Sequence, residues 1–345
     1  MKISYMIKRE DFYGINKKTL NTFFGSGENV TRMYIYPELN AITTKKPSKK
    51  VKEFIYTEFD INASTVKKLL VKVYSRLSLN SLGIMAAKKC VIKKNISNDI
   101  LIYPCNKKYR IFDFSKNTVD VIVKDGFLEN DIFHEIEFRT KKDLPGFVPP
   151  VVSSTSNSYK EVIIDGKPLA RISENHMTLC KKAYELLRNY AKEFDEKIKV
   201  GAYAKELIKK INSFPKDKIL SKDRFESVIE YFANSFYDDE ELVCTFSHGD
   251  LQSGNIWIEN KTGKIYIIDW ESWGKRSIWY DKAVLFDGLR PKGIEFYLSN
   301  DLADHEKKIV ILEDIIFRLN ELYSLPGVFG IDEFDEYILT ISKII

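Results

Sequence analysis

The sequence predicts an α+β fold, and three observations predict it. Between about Asp99 and Asp165, short β-branched and aromatic runs alternate with turn residues. From about Ser173 onward the pattern is mostly helical, and a strand-like island at 255–270 interrupts it. Strands first and helices afterwards is the order of an α+β chain, not of alternating βαβ units. The segments read as an extension of unknown role (1–95), a strand-rich part (96–166) and a helical part (167–345).

Residues 1 to about 60 mix aromatics, charges and turn signals such as Gly25-Ser26-Gly27. From about Ala63 to Lys89, Val66, Leu69, Leu70, Val73, Leu77 and Leu82 recur at three- and four-residue steps, which predicts a helix face packed on a core. Ile100–Tyr103, Tyr109–Phe114 and Thr118–Lys124 then read as an antiparallel meander, punctuated by Pro104, Ser115-Lys116-Asn117 and Asp125-Gly126. A helix is expected over about Glu129–Lys142, followed by strands at Val151-Val152 and Glu161–Ile164.

Of 345 residues, 44% are hydrophobic, enough for two ordinary cores or for one core plus an extension. Lys plus Arg (54) exceed Asp plus Glu (49) only slightly, and no basic run is interleaved with aromatics, so no nucleic-acid partner is expected. Four scattered cysteines and four histidines show no C-x-x-C pair or zinc-ligand spacing. No apolar run approaches the ~20 residues needed to span a bilayer, and charge appears too early for a signal peptide. A cytoplasmic protein is expected.

The chemistry concentrates in Ser247-His248-Gly249-Asp250-Leu251-Gln252-Ser253-Gly254-Asn255 and the strand Lys264–Ile268 that ends at Asp269. Phosphoryl transfer from ATP to an alcohol needs a carboxylate to orient the hydroxyl and take its proton, oxygen ligands for Mg²⁺, and positive charge on the phosphates. Asp250 suits the first role. Asn255 and Asp269 suit a hard cation that keeps some of its waters. A turn at Asn260-Lys261-Thr262-Gly263 returns the chain and brings Asp269 toward Asp250 and Asn255. No G-x-x-x-x-G-K-[ST] is present, which excludes a P-loop enzyme.

His248-Gly249-Asp250-Leu251-Gln252-Ser253-Gly254-Asn255 followed by Ile268-Asp269-Trp270-Glu271 resembles the aminoglycoside phosphotransferase and choline-kinase-like superfamily, relatives of the protein kinases. The resemblance implies a two-lobed protein-kinase-like fold, with a small antiparallel β lobe and a larger helical lobe. It implies ATP and Mg²⁺ as cofactors, Asp250 as base, Asn255 and Asp269 as metal ligands, Asp281 as the brace of the catalytic loop and His248 as scaffold. It further implies a strand-end lysine on the α- and β-phosphates, matched by Lys124, and a helix glutamate holding it, matched by Glu135 with Glu137 as competitor. Asn106 and Lys107 would meet phosphate from a loop that has no glycine. Backbone of Ile163, Ile164 and Asp165 would bind adenine. Trp270, Trp273, Trp279 and Tyr280 read as core packing ahead of a substrate cage. The acceptor implied is a hydroxyl-bearing small molecule: a sugar, a glycan or lipid precursor, an amino alcohol or an antibiotic. A nucleotide-binding pseudokinase or scaffold, meeting a protein partner through residues 1–95, is the alternative.

Overall fold

The computed structural model describes residues 11–25, 27–58, 65–127, 130–237, 240–290, 296, 302–325, 327 and 330–345. The chain divides into two compact units, Met1–Glu174 with Trp257–Lys264, and Asn175–Ile256 with Ile265–Ile345.

In the first unit, α1 (Phe12–Phe24) is capped by Asp11, whose carboxylate accepts the Gly14 N–H at 3.1 Å. It is followed by β1 (Thr31–Tyr36), β2 (Ala41–Thr44), α2 (Lys49–Glu58), α3 (Thr65–Ser78), α4 (Ser81–Ala86) and β3 (Lys88–Ile92). Next come β4 (Ile100–Pro104), β5 (Lys108–Asp113), β6 (Thr118–Val123), α5 (Asn130–Arg139), β7 (Val151–Ser154), β8 (Ser158–Val162) and the short β9 (Gly166–Pro168). The meander is present as predicted, with β4, β5 and β6 antiparallel neighbours.

The predicted extension is built into that sheet. Its order is β3-β1-β2-β4-β5-β6-β8-β7, with β2 pairing to β4. Strand alternation divides the side chains between two faces. Met33, Ile35, Ile102, Tyr109 and Ile122 lie with Phe12 and Leu20 of α1. Tyr34, Leu101, Phe112, Val121 and Tyr159 lie with Val51 of α2 and Ile132 and Ile136 of α5.

One expectation fails in this unit. The described side chains of the 63–89 stripe do not pack in a core: Leu69, Val73 and Leu77 are exposed, and the last residues of the segment form β3. A three-to-four periodicity reports an apolar helix face but not what covers it. Ala63, and the side chains of Val66, Leu70 and Leu82, lie outside the described residues, as do Ser26 and Glu129.

The second unit runs through α6 (His176–Ala191), β10 (Glu196–Lys199), α7 (Val200–Ser213), α8 (Lys222–Ala233) and β11 (Glu241–Ser247). Strand β12 (Ile256–Glu259) belongs from Trp257 onward to the first unit, and the second resumes with β13 (Ile265–Ile267), β14 (Gly274–Ser277), α9 (Tyr280–Leu285), α10 (Asp304–Ser324) and α11 (Ile331–Ile341). Its core joins Tyr203 and Leu207 of α7, Phe225 of α8, Ile311 of α10 and Tyr337 of α11. The sheet β10-β11-β14 is an addition to the predicted helices. The run Leu242–Phe246, apolar and β-branched, forms its central strand and leads straight into the motif.

Candidate active site

Strand β11 is buried from Cys244 to Ser247 and delivers a rigid chain end to His248. The turn that follows needs a glycine: Gly249 has φ +81°, and a Cβ there would stand 2.1 Å from the Ser272 carbonyl oxygen. Asp281, in the first turn of α9, accepts the backbone N–H groups of His248 at 2.8 Å and Gly249 at 3.0 Å. The fully buried His248 ring faces the Ile268 carbonyl through Nε2 at 3.0 Å, while Nδ1 accepts the Asp250 N–H at 3.2 Å. Those two partners select the neutral tautomer with hydrogen on Nε2, and the ring packs on Trp270 at 4.4 Å.

Asp250 and Asn255 face each other across the loop. The Asn255 amide nitrogen donates to the Asp250 carbonyl at 2.9 Å and to its carboxylate at 3.1 Å. That leaves the amide oxygen as the atom that could hold a cation. The Ile268 N–H donates to the Asn255 carbonyl at 2.9 Å, tying the loop to the strand that ends at Asp269, itself in the left-handed region at φ +67°. Burial raises the Asp250 carboxyl above the usual aspartate range; Arg290 opposes this, and the Asp269 charge adds to it. Two mutually repelling carboxylates beside an amide oxygen suit Mg²⁺ that keeps several waters. Among the described residues no group of three or more His, Cys, Asp or Glu forms a closed metal cage.

Sequence reasoning missed Arg290. Its guanidinium contacts the Asp250 carboxylate, donates to the Gly249 carbonyl at 3.1 Å and to the Tyr280 hydroxyl at 2.9 Å, and lies 3.3 Å from Asp314. Asp314 is fully buried and also accepts from Arg318 at 2.7 Å. Burial acts against its ionisation, but Arg318 and Arg290 outweigh that and hold its carboxyl below the usual range. A sequence signal exists: Glu313-Asp314 interrupts the apolar run Ile309–Ile316, and acids in such a run need buried partners. Of the aromatics, Trp270 and Tyr280 are core, whereas Trp273 and Trp279 are partly exposed.

The remaining predicted residues lie in the first unit. Lys124 is buried, its N–H donates to the Lys107 carbonyl at 2.9 Å, and its ammonium stands 5.4 Å from the Tyr109 and Phe127 ring centroids. Glu135 is fully buried on α5. Its carboxylate takes Lys108 at 3.1 Å, the Tyr159 hydroxyl at 2.9 Å and Arg139 at 3.5 Å. Strand parity brings Lys108 to that carboxylate. Val121 faces α5, Ile122 faces α1, and Lys124 carries the parity of Ile122, whereas Lys108 carries that of Phe112 on the α5 face. Lys107 is buried, and Asn106 is partly exposed in the turn closed by Cys105 N–H to Lys108 carbonyl at 2.8 Å. In the linker, the Ile163 N–H already donates to Asn117 at 3.1 Å, and the Asp165 carbonyl accepts from Asn260 at 2.8 Å. A cavity of about 620 Å³ borders Val162–Gly166, Phe54 and Asn117.

Residues 130–288 match the family model described as choline/ethanolamine kinase, so this segment is that of a kinase with an alcohol acceptor. No curated protein matches the chain. Among solved structures, choline kinase LicA from Streptococcus pneumoniae is 16% identical, with 72% of this chain and 92% of that chain covered and a TM-score of 0.44. Choline kinase from Cryptosporidium parvum Iowa II is 14% identical, covering 73% and 89%, with a TM-score of 0.39. A thermostable mutant of aminoglycoside phosphotransferase APH(4)-Ia is 11% identical, covering 71% and 94%, with a TM-score of 0.45. The likeness read from the His-Gly-Asp motif agrees with that family model over residues 130–288, and the fold is α+β.

Proposed function

We propose that this kinase-like chain transfers the γ-phosphate of ATP to the hydroxyl of a small molecule in a Mg²⁺-dependent reaction, and that an amino alcohol is the acceptor class. The observation that carries the reading is the catalytic loop, where Asp281 fixes the backbone on either side of the His248–Gly249 peptide and Asn255 and Arg290 fix the Asp250 carboxylate. The amino-alcohol class rests on the family match over residues 130–288.

Asp250 orients the acceptor hydroxyl and takes its proton as the oxygen attacks the γ-phosphorus and the bond to the ADP oxygen breaks. The Asn255 amide oxygen and the Asp269 carboxylate would hold Mg²⁺. The metal supplies charge neutralisation on the phosphate oxygens. In the first unit, Lys124 with Lys107 and Asn106 is the proposed source of positive charge and hydrogen bonds for the phosphates, and Ile164 the proposed adenine contact. Glu135, ion-paired with Lys108 and Arg139, is the proposed buried acid that steadies the positive charge of this unit, Lys124 included.

The test is ADP release with choline, ethanolamine and a panel of sugars and aminoglycosides, for wild type and Asp250→Asn. Wild type is expected to turn over with an amino alcohol. The variant should keep ATP binding and lose about 10²–10⁴-fold in kcat. Unchanged turnover in a folded Asp250→Asn protein would remove Asp250 from the reaction. Nucleotide binding without turnover on any acceptor would favour the scaffold reading, which the glycine-free loop at 104–108 supports.

A further inference from the structure

We propose that helix α3 is a membrane-surface docking element that seats the protein on anionic lipid. The helix is built for an interface, and the described part of its apolar face is exposed. Leu69, Val73 and Leu77 follow one another at four-residue steps and are 62%, 46% and 51% exposed, with Tyr74 beside them. At 100° per residue these three span an arc of about 80°. Lys72 and Arg76 lie on one rim of that arc, and both are exposed. Of the helix's described side chains only Ser75 is buried. Met85 on α4, 78% exposed, extends the apolar surface.

Charge selects the occupant. The helix Thr65–Ser78 carries Lys67, Lys68, Lys72 and Arg76 and not one acidic residue, in a chain whose charges are otherwise nearly balanced. An apolar stripe rimmed by cations, on a convex single helix with a wide exposed arc, is the pattern of a helix lying in the plane of a bilayer interface. A groove-binding protein partner would need to wrap most of that arc. A lipid surface needs only to receive the stripe while its anionic headgroups meet the cationic rim. No described helix is long and apolar enough to cross the membrane, so the contact is peripheral.

The experiment is co-sedimentation of the full chain with vesicles of phosphatidylcholine alone and with about 30% phosphatidylserine; each Lys or Arg beside an anionic leaflet favours partitioning about fivefold. Wild type should pellet with the anionic vesicles, lose binding at about 0.5 M salt, and stay soluble with phosphatidylcholine. Lys72→Glu/Arg76→Glu should lower binding by about 25-fold or more. Leu69→Ser/Val73→Ser/Leu77→Ser should abolish it with thermal unfolding and nucleotide affinity unchanged, because those side chains are already exposed. Equal binding to both vesicle types, absence of binding by wild type, or binding that survives the triple change overturns the proposal. So does a wild-type dimer that the triple change converts to monomer in the absence of lipid, since the stripe would then be a protein interface.

Discussion

Replacing Glu135 by Gln would test whether the buried charge cluster of the first unit is centred on Lys108. Glu135 is fully buried, and the Lys108 side chain is 6% exposed, so neither group can turn to water when its partner is lost. Breaking a buried pair costs about 3–5 kcal/mol, because the remaining charge is left uncompensated. The lower end applies here: Arg139 keeps Glu161 at 2.7 Å, and the Tyr159 hydroxyl can still donate to the amide oxygen. About 3 kcal/mol corresponds to a fall in Tm of roughly 6–12 °C. Lys108→Met removes the charge that needs pairing, so the double variant should recover much of the loss. The coupling is expected at about 2–3 kcal/mol. Thermal and urea unfolding of wild type, both single variants and the double variant measure it, with Lys124→Met run through the same cycle. Additive losses for Glu135 and Lys108, or a larger coupling of Glu135 to Lys124, would refute the assignment. ATP KM for the same variants tests whether Lys124 meets the phosphates, since Lys124→Met should then raise KM with little change in Tm.

Three further outcomes concern the second unit. Gly249→Ala forces a Cβ into a φ +81° position 2.1 Å from the Ser272 carbonyl; it should cost about 1–3 kcal/mol in unfolding free energy and lower kcat. Unchanged kcat and Tm would mean that the turn relaxes freely. Asp281→Asn keeps the shape but sets an amide N–H against one of the two donors it now satisfies, so a loss of about 1.5–3 kcal/mol is expected, with kcat falling more than ATP affinity. Equal loss of both would reduce Asp281 to a general stability role. Burial raises the Glu313 carboxyl above its usual range, against hydrogen bonds from Ser277 and Tyr203. The stability it contributes is therefore present below the unfolded-state pKa and is lost as pH rises through the higher folded value. Glu313→Gln can hold all three hydrogen bonds, so the Tm gap between wild type and variant should shift in the variant's favour from about pH 4 to pH 8. A pH-independent gap would show that Glu313 does not titrate in the folded protein.

The sequence by itself determined the elements whose information is local. The β4–β6 meander follows from β-branched runs cut by Pro104, Asn117 and Gly126. The braced loop follows from a glycine at a position that only glycine fits, two residues beyond a buried strand end. Asp250, Asn255 and Asp269 were legible together because residues 251–268 form one loop and one hairpin, whose short span constrains where the chain can go. Tertiary structure decided the partners. Arg290 reaches Asp250 from forty residues away and owes its place to Asp314 on α10, a helix with no motif. Lys108 meets Glu135 because strand parity puts it on the α5 face, and a one-residue change of register would turn it to the other face. Whether β1–β3 joined the sheet, and whether the α3 stripe was covered, also depended on elements distant in sequence. Apolar spacing states that a face can be buried; only the arrangement of the other elements decides what, if anything, lies against it.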